Sequence, residues 1–253
     1  MSSFAGGIKS CRTRSFWLFA MLIGLSLILA ACGDELTEEE AQSLAGSGHL
    51  ASPNPANTTV LILTDEATAI ANASAFLSPF DFPVLDSMDT SVVTPTLGDL
   101  LNYDAVLFSS LAGETDRIAT GDAVADYIDA GGGVVITTPS HLLAGGAWGR
   151  IYSSGQSPFK FDASGNVGPD TLNTVYQPGH YIMTNVTAVS ASARDDPTLA
   201  VGGTLLADWT DGTLMVAINS AGTVAGIKIY LPGSNGDNYD QLFANAPVYT
   251  AAQ

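Results

Sequence analysis

Thr120-Gly121-Asp122-Ala123-Val124-Ala125-Asp126-Tyr127-Ile128-Asp129-Ala130-Gly131-Gly132-Gly133-Val134-Val135-Ile136 is the stretch on which the fold turns. Val124, Tyr127 and Ile128 recur at helical spacing, three glycines permit a sharp exit, and the β-branched run that follows fits a strand. Thr120 is the expected cap of a helix over residues 121–130, because its hydroxyl can accept from an unpaired amide of the first turn. Asp122, Asp126 and Asp129 share the opposite side of that helix and read as a solvated face rather than a metal site. Upstream, Thr59-Val60-Leu61-Ile62-Leu63 and Asp104-Ala105-Val106-Leu107-Phe108 are continuous apolar runs, the pattern of strands buried on both faces. Between them the sequence predicts a helix over 67–77 with Ile70, Ala73 and Leu77 inward, a short strand at Val84-Leu85 and a short helix over 96–101. Strand, helix, strand, helix, strand at this spacing predicts a parallel sheet with helices on both faces.

Downstream the character changes. Residues 148–169 are rich in glycine, serine and aromatic residues and read as a long excursion or hairpin, in which Phe159-Lys160-Phe161 alternates. Three strands are expected over 203–207, 214–218 and 225–230, with turns at Thr210-Asp211-Gly212 and Ser220-Ala221-Gly222. A last helix should run from about Asn238 to Tyr249, ended or kinked by Pro247. The expectation is an α/β fold over residues 57–253, a flavodoxin-like parallel core completed by an antiparallel extension in one domain.

The first residues belong to a different kind of segment. Lys9, Arg12 and Arg14 precede an apolar run from Phe16 that ends in Leu29-Ala30-Ala31-Cys32. This resembles the lipobox signal of bacterial lipoproteins. The resemblance implies a signal peptide over 1–31, cleavage before Cys32 and a diacylglycerol thioether on Cys32. An uncleaved membrane anchor is the competing reading, since residues 16–31 approach the shortest length that spans a bilayer. Residues 32–56 read as a lipidated N-terminus and acidic, flexible tether, where a helix over 36–44 would be marginal without packing. The implied location is a bacterial cell envelope, with the outer membrane favoured and the domain outside the cytoplasm.

Composition narrows the chemistry. Cys11 and Cys32 are the two cysteines, so cleavage would leave a folded part without a thiol, excluding disulfides, cysteine-ligated zinc and cysteine nucleophiles. The formal net charge is −17, and three of the eight basic residues precede Cys32, so the remainder is more acidic still. Such a surface repels nucleic acid and anionic headgroups. The partners left are a membrane, through lipid on Cys32, and an envelope protein or glycan.

Several pieces in order resemble the class I glutamine amidotransferase-like superfamily: Val60-Leu61-Ile62-Leu63-Thr64-Asp65, Tyr103-Asp104-Ala105-Val106-Leu107, the segment from Tyr127 to Val135, His180-Tyr181-Ile182-Met183-Thr184-Asn185-Val186 and Leu242-Phe243-Ala244-Asn245-Ala246. The superfamily's enzymes set a cysteine at a tight strand-to-helix turn, activated by a histidine and a carboxylate late in the chain. The matching turn here is Thr137-Thr138-Pro139-Ser140-His141; the last histidine is His180 and the last glutamate Glu114. The resemblance therefore carries no amidotransferase chemistry to any residue. His141 is the closest match to the histidine that some relatives use near that turn for a metal or a sugar.

Open parallel sheets bind ligands beyond the carboxyl ends of their strands. Asp65, Ser110, Thr138, Ser140 and His141 are the residues expected around such a pocket, though each could equally satisfy backbone amides. Ser140 beside His141 also invites a hydrolase reading. His49 falls in the tether, His180 in a loop, and no helical HxxxH pair signals zinc. Asn235-Gly236-Asp237-Asn238-Tyr239-Asp240 clusters hard oxygens, suggesting a calcium-stabilised surface protein, but it lacks EF-hand spacing and reads more simply as a helix cap. Asp195-Asp196-Pro197 reads as a solvated loop start and Asp208-Trp209-Thr210-Asp211-Gly212 as a hairpin turn. No cofactor or metal is called for.

Overall fold

The computed structural model describes residues 53–232 and 238–253. The signal segment, Cys32, the tether up to residue 52 with His49, and residues 235–237 of the candidate calcium loop lie outside the described residues. All described residues fall in a unit spanning 49–253. No described helix is long and apolar enough to cross a membrane.

In chain order the elements are β1 (Thr59–Thr64), α1 (Ala67–Leu77), β2 (Val84–Asp89), α2 (Leu97–Leu100), β3 (Ala105–Ser109), α3 (Arg117–Asp129) and β4 (Gly133–Thr138). Then come α4 (Arg150–Ser153), β5 (Asp170–Val175), β6 (Ser190–Ala191), β7 (Thr204–Trp209), β8 (Leu214–Ile218), β9 (Val224–Tyr230) and α5 (Tyr239–Thr250). One sheet runs β2-β1-β3-β4-β9-β8-β7-β5-β6. The pairs from β2 through β9 are parallel and those from β9 outward antiparallel. This is the expected flavodoxin-like α/β sheet with an antiparallel extension.

Strand periodicity sends alternate residues to two cores. Ile62, Leu107, Val135 and Ile227 pack with Ala69, Ala73 and Leu77 of α1 and Leu242 and Phe243 of α5. Leu61, Leu63, Phe108 and Ile136 pack on the other face with Val124, Tyr127 and Ile128 of α3. Helices therefore cover both faces of the parallel half, which explains why β1, β3 and β4 are apolar without alternation, whereas the edge strand β2 is polar and largely exposed.

The glycine exit after α3 is a Schellman motif. Gly131 adopts φ +92°, Gly132 N–H donates to Tyr127 O at 2.9 Å and Gly131 N–H to Ile128 O at 3.0 Å. At the other end the structure corrects the reading of the cap. Asp116 accepts from Ala119 N at 3.0 Å, so α3 starts a turn earlier than expected, and Thr120 is buried within it. The carboxylate satisfies the same orphan amides a turn upstream. Asp122, Asp126 and Asp129 are not merely solvated: Arg150 reaches from α4 to Asp126 and Asp129, and its amide donates to Asp122 Oδ1 at 2.7 Å. The excursion over 148–169 thus docks on α3 through these carboxylates rather than forming a hairpin. Pro247 does not end α5, which continues to Thr250; Ala251 N–H closes on Pro247 O at 3.0 Å.

The antiparallel half is stapled by one cation. Arg194, 2% exposed, pairs with Asp211 at 2.6 Å and Asp170 at 3.1 Å, donates to Gly168 O and Thr213 Oγ1, and lies over the Trp209 ring. These contacts hold the segment after β6 against the β7–β8 turn. The turn itself lies where Thr210-Asp211-Gly212 predicts it, but Asp208 is buried, accepting from Thr174 N and Tyr176 OH.

Candidate functional site

The carboxyl ends of β1, β3, β4 and β9 converge on one edge of the sheet. Asp65, just past β1, accepts from the amides of Leu111 and Gly113, which fixes the loop after β3. Ser110 donates its hydroxyl to Glu114, and its amide donates to Ser140 Oγ at 3.0 Å, tying that loop to the turn after β4. Glu66 accepts from Tyr230 OH at 2.6 Å, which links the β1 end to the β9 end. Burial raises the carboxyls of Glu66 and Glu114, although the hydroxyl of Tyr230 or Ser110 opposes the rise in each case.

Beneath this rim lies a buried chain of polar side chains. Lys228, at the fully buried centre of β9, pairs with Asp195 Oδ1 at 3.0 Å and meets His141 Nδ1 at 2.5 Å. Thr138 Oγ1 donates to Asp195 Oδ1 at 2.7 Å, and His141 Nε2 lies 2.9 Å from Ser157 Oγ. An ammonium has donors only, so His141 Nδ1 must accept; the ring is then the neutral Nε2–H tautomer and donates to Ser157. Burial, and then the neighbouring Lys228 charge, hold His141 well below its ordinary value. Burial also lowers Lys228, against the attraction of Asp195.

Aromatic packing closes the chain from water. Phe159 lies 5.0 Å from the Lys228 ammonium, and Phe161 stacks on His141 with centroids 4.8 Å apart. Gly226 makes room for this lid, since a Cβ there would collide with the Phe159 ring. The Phe159-Lys160-Phe161 alternation of the sequence places both rings inward and Lys160 outward.

Beside the chain a cleft of about 180 Å³ opens, lined by Leu111, Thr138, Pro139, Leu142, Asp195 and Tyr230 among others. Asp195 Oδ2 is buried without a hydrogen-bond partner among the described residues, as are Glu66 Oε2 and Glu114 Oε2. No three described His, Cys, Asp or Glu side chains are placed to hold a metal ion.

Of the five residues expected around a strand-end pocket, Thr138 lines this cleft. Asp65, Ser110 and Ser140 bind its loops together, and His141 lies fully buried beneath. Ser140 and His141 do not form a dyad. Ser140 Oγ accepts an amide hydrogen while the imidazole faces Lys228 and Ser157, so a serine nucleophile is not assembled. His180 caps a short 3-10 turn and packs on Tyr249. Asp195, read from sequence as the start of a solvated loop, is instead fully buried, because Lys228 and Thr138 supply the partners that make burial tolerable.

Asp195 and Lys228 are the central charges among the site residues that sequence reasoning missed, which also include Glu66, Glu114, Ser157 and Tyr230. Lys228 carried a signal: a lone charge inside Ala225-Gly226-Ile227-Lys228-Ile229-Tyr230, a run otherwise suited to complete burial, requires a buried counter-charge. Asp195 carried none, since Asp-Asp-Pro is ordinary turn chemistry.

Solved structures resemble this architecture. Cytoplasmic Protein STM1381 of Salmonella typhimurium LT2 aligns with a TM-score of 0.58 at 15% identity, over 74% of this chain and 97% of that one. A protein described as ThuA-like from Bacteroides uniformis gives 0.52 at 15% identity, over 78% and 91%. One described as a GMP synthase protein from Thermoplasma acidophilum gives 0.50 at 12% identity, over 77% and 95%. No protein-family model matches the sequence, and no curated protein matches it. At these identities the likeness establishes the fold alone: a flavodoxin-like α/β domain.

Proposed function

We propose that this protein is an envelope lipoprotein, anchored through Cys32, whose amidotransferase-like domain serves as a binding or scaffold module without amidotransferase chemistry. The observation that carries the reading is the state of the turn after β4. It offers no thiol, and its polar side chains are engaged: Thr138 with Asp195, Ser140 with Ser110, His141 with Lys228 and Ser157. A nucleophile needs a free, exposed atom beside a base, and none is arranged there. The adjoining cleft supports ligand binding instead, because it combines apolar walls with a buried acceptor.

The test is metabolic labelling of the full chain with a clickable fatty acid, alongside a glutamine-hydrolysis assay on the purified protein. Label on the native chain, its loss in Cys32→Ser, and no glutamine turnover are the expected results. An unlabelled native chain overturns the anchor, and turnover overturns the non-catalytic reading.

A further inference from the structure

We infer that the cleft beside Asp195 binds a small organic ammonium ion, a primary amine on a short apolar body. The inference rests on the binding-module reading of the same cleft and names its ligand. Its volume, about 180 Å³, is close to that of an apolar cavity able to take up a benzene molecule, so the body has roughly six to eight non-hydrogen atoms. Leu111, Pro139, Leu142 and the Tyr230 ring supply walls suited to hydrocarbon.

Charge selects the polar end. Asp195 lines the cleft, is fully buried, and uses one carboxylate oxygen for both Lys228 and Thr138 while the other has no partner among the described residues. A buried acceptor in that state calls for a donor, and an ammonium brings an opposite full charge to the carboxylate, where a hydroxyl brings only a dipole. The lysine does not compete with a ligand cation for the free oxygen, since its ammonium is directed to Asp195 Oδ1 and His141. Three carboxylates stand behind the walls, with the Arg117 charge acting on Glu114 and Asp65. Glu66 holds the Tyr230 hydroxyl, Asp65 holds the Leu111 amide, and Glu114 stands behind Ser110. Arg194 also lines the cleft, but Asp170 and Asp211 neutralise its guanidinium and Thr213 and Gly168 accept from it, so it is engaged away from a ligand anion. Carboxylates and phosphates are therefore disfavoured.

The experiment is isothermal titration of the full chain, purified in detergent, with n-pentylammonium, 1-pentanol and pentanoate at neutral pH. The Leu142→Trp variant in the same detergent serves as the blank, so that partition into micelles cancels. Leu142 is partly exposed and outside the buried chain, so an indole there fills the cleft without disturbing Asp195. The expected result is saturable pentylammonium binding, at least about tenfold tighter than pentanol and absent from Leu142→Trp. Asp195→Asn, where it folds, should bring the amine and the alcohol to similar affinity. Pentanol or pentanoate binding as tightly as the amine overturns the ammonium assignment while leaving the cleft a binding site. No saturable signal that Leu142→Trp removes overturns it as well. Glutamine turnover by the same preparation bears on the non-catalytic reading alone.

Discussion

Removing the ammonium of Lys228 should cost this domain a large part of its stability. In Lys228→Met the volume and most of the stem remain, but Asp195 loses its counter-ion 3.0 Å away and keeps only the Thr138 hydroxyl, while His141 Nδ1 loses its donor. At an effective dielectric near 20, unit charges at that separation interact by about 5 kcal/mol, and breaking one side of a buried pair costs about 3–5 kcal/mol in practice. Near this size each kcal/mol moves the melting temperature by about 2–4 °C, so the expected fall is roughly 6–20 °C. Asp195→Asn alone should also destabilise, because it strands the ammonium. The double variant Lys228→Met/Asp195→Asn removes both charges while the new amide oxygen can still accept from Thr138, so it should regain at least half of the loss expected from adding the single effects. Urea unfolding of the four proteins at neutral pH measures the cycle. A Lys228→Met cost below about 1 kcal/mol, or strict additivity in the double variant, would refute the view that the two charges hold each other in the core.

Two further outcomes are expected. His141 is neutral in the folded state and its folded value is lowered, whereas in the unfolded chain it takes up a proton near pH 6.5; stability from this group should therefore be present above about pH 6.5 and fall by up to about 1.4 kcal/mol per unit below it. His141→Gln, whose amide can accept from Lys228 and donate to Ser157, should flatten that part of the urea-midpoint profile, and an unchanged acid slope would count against the assignment. Gly121→Ala should destabilise by roughly 1–3 kcal/mol in thermal melts, because the new methyl would collide with the Trp148 carbonyl oxygen and force α3 away from the following segment; a neutral effect would mean that this contact yields freely.

The parallel half was legible because its signals are local. A run such as Thr59-Val60-Leu61-Ile62-Leu63 has one reading at that length, and the bounds of α1 fall where the alanine-rich pattern puts them. Cap placement was less legible: Thr120 and Asp116 are both competent caps about one turn apart, and the choice depends on how α3 packs. The site was legible in position only. Strand-end logic points to Asp65, Ser110 and Thr138 and finds the right edge of the sheet, yet the charges that define its interior come from the middle of β9 and from a segment beyond β6. A local window cannot see that Lys228 and Asp195 meet, since the sheet order that joins them is itself a long-range property.

That sheet order has a consequence for how the chain can be cut. β9 is last among the strands in sequence but stands at the centre of the sheet, parallel to β4 on one side and antiparallel to β8 on the other. Val134 waits for Val224 and Val216 for Ile227, so until residues 224–230 arrive, both halves carry an open row of amides and carbonyls facing the same gap. Shortening this protein from its carboxyl end therefore does not trim an edge; it removes the keystone and leaves two unfinished sheets. Any extended segment that reaches the gap first competes for the place of β9, which makes truncation before Val224 a route to mispairing between chains.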